Sequence, residues 1–149
     1  MATVRFSPAL RAEYEQLFDS CEIRPERAAQ VEQAMQRVLA AAPRYRAAEA
    51  ASGVPWYFIA VTHQMESSGR FDRHLHNGDP LTARTRQVPA GRPRQGHPPF
   101  TWEESAADAL AMHKLDASTD WSLGSLLYEL ERYNGFGYRL YHPEVKTPY

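Results

Sequence analysis

The chain has 149 residues, 43% of them hydrophobic, with three Trp and a formal net charge of −1. This length predicts one domain with a real core, and the near-neutral charge leaves no electrostatic footprint for nucleic acid. A lone cysteine, Cys21, excludes an internal disulfide and a multi-cysteine metal site, and no run approaches the ~20 apolar residues that span a membrane.

The N-terminus, Met-Ala-Thr-Val-Arg-Phe, has no apolar signal core. Action outside the cytoplasm would therefore need some other route of delivery. Ser7 and Pro8 read as an N-cap and a first helical residue. Leu10, Tyr14, Leu17 and Phe18 then repeat at helical spacing. Arg24-Pro25 restarts the chain. Val31, Ala34, Met35, Val38 and Leu39 predict a second amphipathic helix, Pro43 opens a short third over 44–51, and Gly53 is a plausible C-cap.

The segment from Val54 to Ser68 organises the rest. Trp56, Ile59, Ala60, His63 and Met65 fit a mostly buried helix, since the stretch is too long for a typical strand. Pro55 suits its first position. Glu66 then falls in or near the last turn. A helix C-terminus repels an anion, and apolar surroundings disfavour its charge. Both raise the carboxyl pKa, which suits general-acid chemistry on a glycosidic bond. The plain structural alternative is an exposed helix-end glutamate balanced by Arg70 or Arg73.

After Ser68 the texture changes to Gly, Pro, Asn, Asp, Arg and His as far as Pro99. Asn77-Gly78-Asp79-Pro80 is a strong turn signal. A small irregular β-hairpin is expected here, with a proline-rich excursion over 89–99. A segment this long and irregular within a compact domain is usually functional. Thr101-Trp-Glu-Glu104 is a capping box opening the next helix. Leu123, Leu126, Leu127 and Leu130 mark an apolar face of another, which Gly135 and Gly137 close. The fold class expected is α+β, predominantly α-helical.

Glu66, Asp79 with Thr82 and Thr85, and Tyr133 with Asn134 are the chemistry-bearing residues. A carboxylic acid, a second carboxylate and hydroxyls that could hold a water are the parts of a glycoside hydrolase. Asp79 has an equally simple reading as a turn residue serving its own backbone. Thr85 has one as a strand residue, and Tyr133 and Asn134 one as a helix end with Asn before Gly.

Glu66-Ser67 after an apolar helix, with Tyr133-Asn134-Gly135 near the end of a later one, resembles the lysozyme-like superfamily. It is similar in particular to goose-type lysozymes and soluble lytic transglycosylases. The strings from Leu75 to Thr85 and from Pro99 to Ser105 resemble a bacterial and phage group of peptidoglycan-degrading proteins. Asp79 and Thr85 are similar to the Asp and Thr of phage-type lysozymes, although the gap from Glu66 to Asp79 is longer here.

The resemblance covers roughly 44–149. It implies a single lysozyme-like domain over 1–149, with N-terminal helices at 1–43, a catalytic core at 44–149 and a small hairpin after the central helix. Relatives continue past the Pro-Tyr at the end with a Trp- and Tyr-rich segment, and this chain stops at Tyr149. The completeness of the C-terminal part of the cleft is thus an open point, to be met by a lost segment or a separate chain.

By the same resemblance, Glu66 is the general acid, and Asp79 and Thr85 position water. Ser67, His76, Thr82, Tyr133 and Asn134 contact substrate. Tyr57, Trp102 and Phe136 are candidates for stacking on sugar faces, although each reads more simply as a core residue. The expected activity is hydrolysis of the β-1,4 MurNAc-GlcNAc strand of peptidoglycan, with no cofactor. One alternative is a lytic transglycosylase leaving anhydro-muramic ends; another is a non-catalytic wall-binding or assembly component. The wall would be reached after release or delivery, as with a phage endolysin or a delivered effector. His74 and His76 alternate, yet no helix-spaced pair with a glutamate exists, so no metal site is expected.

Overall fold

The computed structural model describes residues 4–144; the expected limit at Tyr149 lies outside them. Those residues are mostly helical. Among them, no helix is long and apolar enough to cross a membrane. The chain divides into two compact units. One joins 1–25 to 120–149, and the other holds 26–119.

In the first unit, α1 (Pro8–Ser20) packs on α6 (Leu123–Asn134), and a short α7 (Gly137–Tyr141) follows. Ser7 caps α1, its hydroxyl accepting the Leu10 N–H at 3.2 Å, with proline at the start of the helix. Leu10 and Tyr14 are buried as their spacing predicts, whereas Phe18 is exposed. Gly124 lets α6 close on α1: a Cβ there would stand 2.7 Å from the Arg11 side chain. Glu131 is 1% exposed, and it takes the Tyr14 hydroxyl and the Arg139 guanidinium as partners.

The second unit carries α2 (Ala28–Ala40), α3 (Ala42–Ser52), α4 (Trp56–Ser67) and α5 (Trp102–Met112). Helix α3 packs on both α4 and α5. Tyr45, Val54, Phe58, Ile59, Leu75, Leu81, Phe100, Trp102 and Leu110 form its core. Gly53 ends α3 in the left-handed region, where a Cβ would meet Ala117 at 2.6 Å. The capping box at Thr101 is complete: its hydroxyl accepts the Glu104 N–H at 3.1 Å, and the Glu104 carboxylate accepts the Thr101 N–H at 2.7 Å.

Two expectations change. Met65, read as part of the buried face of α4, is exposed, as are Tyr57 and Val61; with Met35 and Leu39 they line an apolar groove between α2 and α4. The β-hairpin is absent among the described residues. A single antiparallel bridge, Arg73 with Pro80, stands in its place. Pro80 has no N–H to give a ladder, and the amides of Leu75, Asp79, Arg86 and Arg92 go to side chains.

Candidate functional site around Glu66

Helix α4 stops because Ser68 and Gly69 both take left-handed backbone, with φ of 54° and 73°. The Ser68 N–H then bonds the Gln64 carbonyl at 3.0 Å, and the Gly69 N–H bonds the His63 carbonyl at 3.2 Å. This double bond is a Schellman-type closure. His63 anchors the same end from inside the core, with Nδ1 on the Tyr45 hydroxyl at 2.8 Å and Nε2 on the Arg70 carbonyl at 3.0 Å.

Glu66 lies one residue before the end of this helix and is half-buried. The arginines that might have balanced it are committed elsewhere: Arg70 pairs with Asp72 at 2.8 Å, and Arg73 approaches Asp72 at 3.9 Å. Among the described residues the Glu66 carboxyl has no ion pair. Burial pushes its pKa up from 4.5 to about 7. The cause is loss of hydration with no opposing charge.

The Asn77–Asp79 turn sits directly on the end of α4. Gly78 has φ of 77°, and a Cβ on it would lie 2.4 Å from the Glu66 carbonyl oxygen. Only glycine permits both the backbone and the approach. Asn77 and Asp79 brace this turn. The Asn77 side chain accepts the Asp79 N–H at 3.0 Å and donates to Asp79 Oδ2 at 2.9 Å and to the Gln87 carbonyl at 2.7 Å. Asp79 Oδ2 also accepts the Arg86 N–H at 2.8 Å. The second carboxylate thus stands one residue from the contact on Glu66, with Oδ2 holding the loop closed. Among the described residues Oδ1 makes no bond.

Thr85 is buried and closes the next part of the loop. Its N–H bonds the Arg92 carbonyl at 2.8 Å, its carbonyl accepts the Gly91 N–H at 2.7 Å, and its hydroxyl accepts the Arg92 N–H at 3.0 Å. Thr82 is exposed. The Ser67 hydroxyl donates back to the carbonyls of His63 and Arg70, at 3.2 and 3.3 Å. His76 is enclosed; its Nε2 lies 2.7 Å from Asp108 Oδ2, and Arg92 reaches the other Asp108 oxygen at 3.3 Å. Burial pushes the His76 pKa down from 6.5, against the pull of Asp108.

Glu66, Ser67, His76, Asp79, Thr82 and Thr85 all belong to the second unit, while Tyr133 and Asn134 end α6 in the first. Of the stacking candidates, Tyr57 is exposed and Phe136 lies against Tyr128, with ring centroids 5.5 Å apart. Trp102 is 1% exposed, packed against Tyr45, His63 and Phe71, and closed to a sugar. Its ring fills the core because α3, α4 and the start of α5 meet there.

Sequence reading passed over Ser105 and Asp108, the α5 residues that hold the loop. Ser105 carried a signal. Ser105 shares the helix face of Ala106, Ala109 and Leu110, and a serine on an apolar face needs a partner. No family model, curated protein or solved structure matches the chain. The likeness to lysozyme-like proteins therefore rests on the quoted residues alone.

Proposed function

We propose that the protein hydrolyses the glycan strand of peptidoglycan on a lysozyme-like fold, with Glu66 as the general acid. The observation that carries this reading is the Glu66 carboxyl: half-buried at a helix end, without an ion-pair partner, and raised to about 7. At that value about half of the groups keep their proton at neutral pH, against well under 1% for a free glutamate. The proton goes to the glycosidic oxygen as the sugar leaves. Asp79 Oδ1 and Thr85 orient the attacking water, whose oxygen becomes the new reducing hydroxyl while its other proton passes to the Asp79 carboxylate. Tyr133, Asn134, Ser67, His76 and Thr82 are carried as substrate contacts by the resemblance.

One observation favours the transglycosylase alternative. Asp79 Oδ2 closes the loop through Asn77 and Arg86, as a turn residue would. In that case the sugar's own 6-hydroxyl attacks, no water is consumed, and an anhydro end forms.

Mass spectrometry of purified peptidoglycan after digestion tests both, with Glu66→Gln alongside. Reducing muramic-acid ends made only by the parent are the expected result. Anhydro ends would transfer the reading to the transglycosylase. Wall binding without cleavage would overturn the enzyme altogether.

A further inference from the structure

The loop that reaches Glu66 is held from α5 by the Ser105 hydroxyl and the Asp108 carboxylate. Ser105 is fully buried, and its Oγ lies 2.9 Å from His74 Nδ1, 3.0 Å from the Leu75 N and 3.3 Å from His76 Nδ1. The proton positions follow from the remaining partners. His74 Nε2 faces the Ala83 carbonyl at 2.8 Å and must donate to it. His74 Nδ1 then accepts the Ser105 proton. Ser105 Oγ accepts the Leu75 N–H. His76 gives its Nε2 proton to Asp108 and leaves Nδ1 in the longer contact. Three consecutive loop residues are thereby gathered onto one side chain. The next three residues are the turn that Gly78 seats on the Glu66 carbonyl.

We propose that Ser105 is a positioning residue: by clasping 74–76 to α5 it keeps the Asn77–Asp79 turn seated on the end of α4, which holds water off the Glu66 carboxyl and Asp79 beside it. This rests on the reading of Glu66 as the acid, but its physical core does not require a substrate. Ser105 never touches the reacting atoms. It acts by keeping the turn against the Glu66 carbonyl, part of the burial that disfavours the Glu66 anion.

The test is a carbon-13 NMR titration of the Glu66 carboxyl, assigned by its loss in Glu66→Gln. The parent, Ser105→Ala, Ser105→Thr and Asp108→Ala are compared. The parent midpoint is expected near 7. Ser105→Ala brings it down by about one pH unit or more, Ser105→Thr, which keeps the hydroxyl, restores it, and Asp108→Ala gives a smaller fall. With wall substrate, the alkaline limb of the rate moves by the same amount, and kcat drops while KM holds.

A soluble Ser105→Ala protein whose Glu66 midpoint stays at the parent value overturns the proposal. If that variant does not fold, an unmoved midpoint in Asp108→Ala does so. A parent that cleaves no peptidoglycan would instead sink the enzymatic reading, while the titration would still report on Ser105.

Discussion

The two units each enclose a glutamate near the end of a helix, and they treat it in opposite ways. Glu131 is the more deeply buried, at 1% exposure, yet it is surrounded by donors: the Tyr14 hydroxyl, and Arg139 Nε at 3.0 Å and Nη2 at 2.9 Å. Arg139 also reaches Glu13 at 2.9 Å. Burial, followed by the hydrogen bond to Glu131, pushes the Tyr14 hydroxyl well above its ordinary pKa. Glu66 is less buried and has none of this. The helix end that encloses it offers carbonyls, and its neighbouring arginines turn to Asp72. Depth of burial therefore does not tell the two apart. Partners do: Glu131 is paired with Arg139, and Glu66, with no ion pair among the described residues, has a raised pKa.

The largest expected effect is on activity. Glu66→Gln should lower peptidoglycan cleavage by about 10³-fold or more, the upper part of what general-acid catalysis contributes. The melting temperature should hold or rise, because the amide removes an uncompensated carboxyl. A dye-release assay and a thermal melt on the same preparation check both. A Glu66→Gln protein of nearly full activity would end the comparison, since both glutamates would then be structural.

Glu131→Ala should invert that pattern. Removing one partner of a buried pair costs about 3 kcal/mol or more, equivalent to a fall in Tm of roughly 10 °C. Activity per folded molecule should stay within about twofold. Loss of activity at unchanged Tm would show that Glu131 had been assigned to the wrong class.

Much of this contrast was legible in the sequence, and the limits have physical reasons. Glu66 stood out because a carboxylate at the end of an apolar helix conflicts with its surroundings, and such conflicts are visible in one dimension. The helices, the Thr101 capping box and the Gly53 C-cap were legible for the same reason: each depends on residues within a few positions. Glu131 was not singled out, since its partners come from positions 14 and 139, far away along the chain. Ser105 escaped for a like reason, its three contacts lying some thirty residues upstream. The hairpin was overread. Asn-Gly is a hairpin signal when strands flank it, but here Asn77 and Asp79 use their side chains to close an irregular loop, and Pro80 cannot extend a ladder.

A smaller effect is expected at the turn that encloses Glu66. Gly78→Ala places a Cβ 2.4 Å from the Glu66 carbonyl oxygen at a φ of 77°. The strain and the forced displacement together cost about 1–3 kcal/mol. The same substitution at Gly91, with φ of 73° and open space around it, carries only the backbone cost, about 1 kcal/mol. Denaturant melts of the two variants measure the difference. Equal losses would mean that the turn does not bear on α4.

The smallest effect is the pH dependence of stability, and its sign separates a lone carboxylate from a paired one. Glu66 has a folded-state pKa of about 7 against 4.5. The folded state therefore binds the proton more tightly than the unfolded chain. Its contribution to stability is fully present below pH 4.5 and is lost as pH rises through about 7. With allowance for solvent screening at a half-buried carboxyl, the loss is about 1–2 kcal/mol. An ion-paired carboxylate with a depressed pKa would show the reverse, losing stability as pH falls. The difference between parent and Glu66→Gln isolates this one group: the variant should gain on the parent between pH 5 and 8 by that amount, and the rate of the parent should fall over the same interval as the acid loses its proton. A difference that is flat across this range would mean that the Glu66 carboxyl is hydrated and ionised throughout, leaving no protonated acid to serve the reaction.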